Sequence, residues 1–341
     1  MLTIRFSHRH SPSGGSNAEL CDSVRGAHRE LMAALHIAGS APRHPASIKE
    51  SYRRMLGPVD AQAWFIARPS GRLVHVVTAG EGAPVVHLHG TNTSSLSHLM
   101  LLGHTHRTRS YLVDRPGRGL SDPDPFRRED FREYSIDFVG DVLDALELDA
   151  AFLVGASGGG IWATWYSLAH PERVRGLVML GAVPTLPGGS VPLPMRLVAT
   201  PGVGDLMTRT VKPGRRMLLK MMASVGEAET IVRHPDLLDS LVAGARDPVA
   251  AHANVAELRA LITAHGFRAG MRLSSEDLRR LAVPTLMIWG DRDPVVPVAH
   301  ARTLAAEIPR AHLEVLPAGH VPQLGYPDRV AALVEDFVLA T

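Results

Sequence analysis

The chain has 341 residues, enough to bury a full core and to hold one large domain with an inserted module. Its hydrophobic content of 45%, charged content of 21% and net charge of +2 are those of an ordinary globular protein. The basic residues are almost all Arg, scattered among acids without forming a stripe, which argues against a nucleic-acid surface. The longest greasy region, 181–206, is interrupted by Pro184, Pro187, Pro192, Pro194 and Pro201, so stable membrane insertion is not expected. The single cysteine, Cys21, excludes an internal disulfide framework and fits a reducing compartment. Residues 1–16 are rich in His, Arg and Ser and carry no apolar core of a secretory signal, so a cytoplasmic protein is expected.

Residues 1–60 read as an N-terminal extension, disordered over 1–16 and helical over 19–37, where Leu20, Val24, Ala27, Leu31 and Leu35 share a face. Short β-rich runs follow at 64–67 and 73–77, parted by the turn residues Pro69-Ser70-Gly71. Further strands are predicted at 84–88 and 110–113, then a helix over 136–148, a strand at 150–154, a helix over 159–169 and a strand at 177–180. The alternation stops between 183 and 275, where prolines give way to helix-like, methionine-bearing segments. It resumes with strands at 285–289 and 313–316 and helices over 298–307 and 328–339. Alternating strands and helices imply an α/β fold, a mostly parallel, doubly wound sheet covered on both faces. The core is therefore assigned to 61–182 and 276–341, and the helical insert to 183–275.

Chemistry concentrates at Gly155-Ala156-Ser157-Gly158-Gly159, a G-x-S-x-G pentad between a predicted strand and a predicted helix. In so glycine-rich a chain the pattern alone is weak, so partners must carry the case. A serine hydroxyl needs a base, and the base needs an orienting acid. Asp291 and Asp293 follow the strand 285–289, at the sheet edge where ligand sites of open parallel sheets lie. His320, in Ala318-Gly319-His320-Val321-Pro322, follows the next strand. The Gly158 N–H is one oxyanion donor, and the Thr91 N–H, after His87-Leu88-His89-Gly90, is the candidate second. His104 and His106 have an H-x-H spacing, but no third ligand follows at metal-ligand spacing, so neither metal nor cofactor is expected. His75, His87 and His98 read as structural, and Met217, Met221 and Met222 as packing the insert's core.

Together these residues resemble the α/β-hydrolase superfamily over roughly 62–182 and 280–338. The likeness rests on His89-Gly90, the run from Asp114 to Asp122, the pentad, Gly290-Asp291-Arg292-Asp293 with Val296-Pro297, and Gly319-His320. It implies that Asp293 rather than Asp291 is the acid, that 183–275 is the family's cap, and that the Asp114 loop is a structural marker. In that loop Arg118 stands where the family more often has His.

The implied reaction is acyl transfer from a small, apolar substrate to water, with Ser157 as nucleophile, His320 as base and Asp293 as orienting acid. Asn92, Met217, Met221 and Val321 are the candidate pocket residues. A serine nucleophile excludes haloalkane dehalogenases and epoxide hydrolases, whose nucleophile is aspartate. Val321, in place of the usual Trp, weakens the carbon–carbon bond hydrolases. Esterases, lactonases and thioesterases remain. So do a perhydrolase or acyltransferase using the same triad, and a non-catalytic binding protein. The sequence leaves a homodimer open.

Overall fold

The computed structural model describes residues 45–181, 183, 185–187 and 191–341. Cys21 and the readings for 1–16 and 19–37 lie outside the described residues. The backbone is built on one eight-stranded sheet with the order β1-β2-β4-β3-β5-β6-β9-β10. Its strands are β1 Gln62–Ala67, β2 Leu73–Ala79, β3 Ala83–Leu88, β4 Thr108–Val113, β5 Ala151–Ala156, β6 Val174–Leu180, β9 Thr285–Gly290 and β10 Ala311–Leu316. A two-residue hairpin, β7 Ile262–Thr263 with β8 Gly266–Phe267, stands apart from it. β1 pairs with β2 and β2 with β4 antiparallel, and all later pairs are parallel. The inner strands β5 (AFLVGA) and β9 (TLMIWG) are buried at every position, as strands covered on both faces must be.

Helices Phe131–Ala145, Gly158–Ala169 and Val298–Glu307 cover one face through Phe138, Trp162, Trp165, Ala301 and Leu304. The other face is closed by Leu101 and by Val330, Val334 and Val338 of the helix Pro327–Ala340. Between β6 and β9 the chain runs through six helices, Leu193–Ala199, Val203–Thr210, Arg215–Ser224, Ala228–Val232, Pro235–Arg246 and Pro248–Leu261. The short helix Ser275–Arg280 then leads back to the sheet. No helix among the described residues is long and apolar enough to cross a membrane.

One element of the expected extension belongs to the body of the molecule. The helix Ala46–Leu56 buries Ile48 and Tyr52 between the sheet and the helix Pro235–Arg246, beside Leu237 and Leu241. The Tyr52 hydroxyl donates to the carboxylate of Asp114, 2.7 Å from Oδ1 and 2.6 Å from Oδ2. Asp114 has no solvent exposure and also accepts from Ser95 N (2.8 Å) and Leu120 N (3.0 Å), with His75 Nδ1 at 2.8 Å. The marker loop is thus a hub that ties β2, β4 and the first helix together around one carboxylate.

Burial alone would raise Asp114, but the hydrogen bond and charge of His75, with help from Tyr52, hold it at about 2. A carboxylate so depressed stabilises the fold fully above its unfolded value and loses that contribution as pH falls through 2. Asp114→Asn is expected to lower the unfolding free energy at neutral pH by about 3–5 kcal/mol, as for one partner removed from a buried pair. Denaturant titrations should show the wild-type advantage shrinking between pH 4 and 2. Equal midpoints at neutral pH would show that Asp114 is not the hub.

Candidate active site

The C-terminal ends of β3, β5, β9 and β10 lie on one edge of the sheet and deliver four short loops to the same place. Register fixes this convergence: Leu88 pairs with Gly155, Gly155 with Met179, and Leu316 with Gly290. Ser157 sits on the turn after β5 with φ 48° and ψ −114°, a conformation that costs a non-glycine residue on the order of 1–3 kcal/mol. The following helix begins at once, Gly160 N donating to Ser157 O at 2.9 Å. So sharp a reversal brings strand and helix backbones together, and side chains must be absent where they pass. A methyl group on Gly155 would meet Gly160 Cα at 2.5 Å, and one on Gly159 would overlap Leu88 O.

The turn aims Ser157 Oγ at His320 Nε2, 2.9 Å away, and His320 Nδ1 lies 2.9 Å from Asp293 Oδ2. A carboxylate only accepts, so Nδ1 carries the proton and Nε2 offers its lone pair to the serine hydroxyl. Asp293 is itself held, its Oδ1 accepting from Val295 N at 2.8 Å. Asp293 and His320 are buried, whereas Asp291 is solvent-exposed and lies 3.6 Å from the Arg292 side chain. The structure therefore brings Ser157, His320 and Asp293 together and leaves Asp291 outside.

The loop after β3, which carries the candidate donor Thr91, is fixed by His89. Its Nε2 accepts from Arg115 N at 3.0 Å, so Nδ1 is the protonated nitrogen and donates to Gly90 O at 2.8 Å. Burial, reinforced by the Arg115 charge, keeps this imidazole neutral well below the ordinary histidine range. A side chain on Gly158 would lie 3.1 Å from Thr91 N, so the two candidate donor residues are neighbours. Asn92, next along, has φ 60° and lines a small cavity with Ile48, Arg118, Leu241 and Asn254.

The other candidate pocket residues are differently placed. Met217 and Met221 are exposed, and Leu218 and Met222 form the buried face of their helix. Of the methionines expected to pack the insert's core, only Met222 does so among these three. Val321 is half-buried and packs against that cluster, its N–H donating to Glu227 Oε1 at 2.9 Å. His87 and His98 are buried, stacked edge to face at 5.5 Å.

Two insert carboxylates reach the site, and neither was singled out in the sequence. Glu227 lies behind the histidine loop; burial raises its pKa against the pull of the Val321 N–H. His320 N also donates to Val225 O at 2.9 Å, a second tie from the insert to that loop. Glu257, from the helix Pro248–Leu261, lies under the loop that carries Thr91, 3.3 Å from Thr91 Oγ1. Its signal in the sequence is helical phase: it falls seven residues after Ala250 and four before Leu261, on the buried face.

A model of the alpha/beta hydrolase family matches residues 85–333. The chain is 30% identical over 269 residues to a 2-hydroxymuconate semialdehyde hydrolase of Pseudomonas sp. (strain CF600), covering 76% of this chain and 88% of that protein. It is 28% identical over 279 residues to a pimeloyl-[acyl-carrier protein] methyl ester esterase of Aeromonas hydrophila, covering 78% and 99%. The solved meta-cleavage product hydrolase from Pseudomonas fluorescens IP01 superposes with a TM-score of 0.64 at 26% identity, over 81% of this chain and 97% of that one.

Ser157→Ala and His320→Ala are expected to lower kcat by roughly 10⁵–10⁶-fold. Asp293→Asn should lower it by roughly 10⁴-fold, and Asp291→Asn by less than about threefold. Steady-state rates on one activated ester, with fluorophosphonate labelling of each variant, check the ranking. A larger loss for Asp291→Asn than for Asp293→Asn would move the acid, and undiminished labelling without His320 would unseat the base.

Proposed function

The chain belongs to the alpha/beta hydrolase family, and we propose that it is a serine hydrolase cleaving small carboxylic esters, lactones or thioesters through an acyl-enzyme. The observation that carries this reading is the unbroken chain Ser157 Oγ–His320–Asp293 on a strained turn beside two backbone donors. His320 takes the hydroxyl proton as Ser157 attacks the carbonyl, and Asp293 stabilises the imidazolium that forms. The N–H groups of Thr91 and Gly158 receive the oxyanion, and the positive end of the helix Gly158–Ala169 adds its field. Loss of either donor removes about 3–4 kcal/mol of transition-state stabilisation. Collapse of the intermediate expels the alcohol or thiol, protonated by His320, and a water activated by the same base releases the acid.

An aliphatic or flexible acyl group, rather than a stacked ring, is supported by the composition of the insert, whose sole aromatic between 183 and 275 is Phe267. Nine of the ten exposed large hydrophobics among the described residues lie between Leu193 and Val232, in the same insert. The single cysteine supports a cytoplasmic location.

Carbon–carbon bond cleavage is the second reading, and the 30% identity to the 2-hydroxymuconate semialdehyde hydrolase favours it. Against it stands Val321, which offers no indole beside His320 where the enzymes of that branch usually carry Trp. Steady-state comparison of p-nitrophenyl acyl esters with 2-hydroxymuconate semialdehyde separates the two. The ester reading expects kcat/KM at least tenfold higher on the best ester, abolished in Ser157→Ala. Faster turnover of the semialdehyde would transfer the chain to the carbon–carbon branch, and an ester rate unchanged in Ser157→Ala would remove the enzyme reading.

A further inference from the structure

Three charged side chains are buried directly beneath the oxyanion loop. Glu257 is 1% exposed, Arg115 0% and Arg118 5%. Arg115 Nη1 donates to Glu257 Oε1 at 2.9 Å, Arg118 Nη2 donates to Glu257 Oε2, and Arg118 Nη1 donates to Pro116 O at 2.9 Å. The Arg115 guanidinium stacks over the Trp162 ring at 4.9 Å. Taking three charges out of water is expensive, and an apolar cluster of the same volume would fill the space at lower cost. A fold-only role therefore accounts poorly for the arrangement.

Its position supplies a different one. The same Glu257 Oε1 that receives Arg115 also receives the Thr91 hydroxyl, at 3.3 Å. A Cβ placed on Gly158 would stand 3.4 Å from that oxygen and 3.1 Å from Thr91 N. One carboxylate of the insert thus touches the side chain of one oxyanion residue and adjoins the other. A bare carboxylate there would repel the developing oxyanion. Two guanidinium groups against one carboxylate leave the cluster net positive, so the anchor is present without that penalty. Burial raises Glu257, but the charges of Arg115 and Arg118 outweigh it and keep the carboxyl ionised; Arg118, lowered by burial to about 10, remains protonated at neutral pH.

We propose that Glu257 is a positioning residue of the oxyanion hole: held by Arg115 and Arg118, it fixes Thr91 so that its N–H faces the same point as that of Gly158. The inference rests on the ester-hydrolase reading of the site. It makes the insert a part of the catalytic constellation, and it gives Arg118 a task in this chain that a histidine could not perform with the same reach.

The test uses the whole 341-residue chain and an activated ester. Thr91→Val keeps the shape of the side chain and its backbone N–H but deletes the hydroxyl. It is expected to lower kcat about 10-fold with KM within twofold, the signature of a donor displaced in the transition state only. Thr91→Ser should recover most of the lost rate. Glu257→Gln should lower kcat about 10- to 100-fold, and the Thr91→Val/Glu257→Gln double variant should be no slower than Glu257→Gln alone. Affinity for an alkyl boronate that mimics the tetrahedral intermediate should fall in step with kcat. Should Glu257→Gln fail to fold, Thr91→Val with the boronate titration decides. A kcat for Thr91→Val within twofold of wild type, or losses that multiply in the double variant, would overturn the proposal. A Ser157→Ala enzyme as active as wild type would instead overturn the reading beneath it.

Discussion

Everything at the candidate site depends on how tightly the chain reverses at Ser157. A residue with a side chain is held at φ 48°, and the strand before it and the helix after it nearly touch. That geometry is tolerable only because Gly155 and Gly159 present no Cβ to Gly160 and to Leu88. The strain lifts the hydroxyl above the sheet edge, where a base can reach it, and turns the first helical amides toward the same spot. Fold energy is spent locally and recovered from the buried strands β5 and β9, whose unbroken apolar runs leave the turn no room to relax.

The sheet explains why such distant residues meet. Ser157 and His320 are 163 positions apart and His320 and Asp293 are 27, yet they follow β5, β10 and β9 in the parallel half of the sheet, with only β6 between β5 and β9. The insert then closes on this edge from the other side. Val225 and Glu227 bond to the histidine loop, and Glu257 bonds to Thr91 on the loop after β3. The helix Ala46–Leu56 fastens the Asp114 hub beneath, through Tyr52. The segment between β6 and β9 is therefore joined to the sheet by polar groups at the interior, which are costly to break singly, and not by apolar contact alone.

The sheet and the order of the reactive residues were legible because both are written in local pattern. Short β-rich runs, each ended by glycine or a turn, put Ser157, Asp293 and His320 at the ends of β5, β9 and β10. Choosing Asp293 over Asp291 needed the family likeness, and its physical correlate, burial against exposure, is a tertiary property. The insert was legible only as helical. Leu218 and Met222, four apart, take the buried face of their helix, so Met217 and Met221 are carried about 100° round toward solvent. Composition marks all of them as core candidates, and only the phase of the helix against its neighbours separates them. Tyr52, Glu227 and Glu257 were missed for a related reason. Their partners lie 62, 94 and 166 positions away, and nothing in the local pattern announces those contacts.

On this reading the turn, the histidine and the two backbone amides act on one point in space. A crystal structure of the enzyme inactivated with an alkyl fluorophosphonate tests it most directly. A covalent bond from phosphorus to Ser157 Oγ is expected. One phosphoryl oxygen should lie about 3 Å from both Thr91 N and Gly158 N, with His320 still bonded to Asp293. A label on any other residue, or a phosphoryl oxygen turned away from both amides, would contradict it.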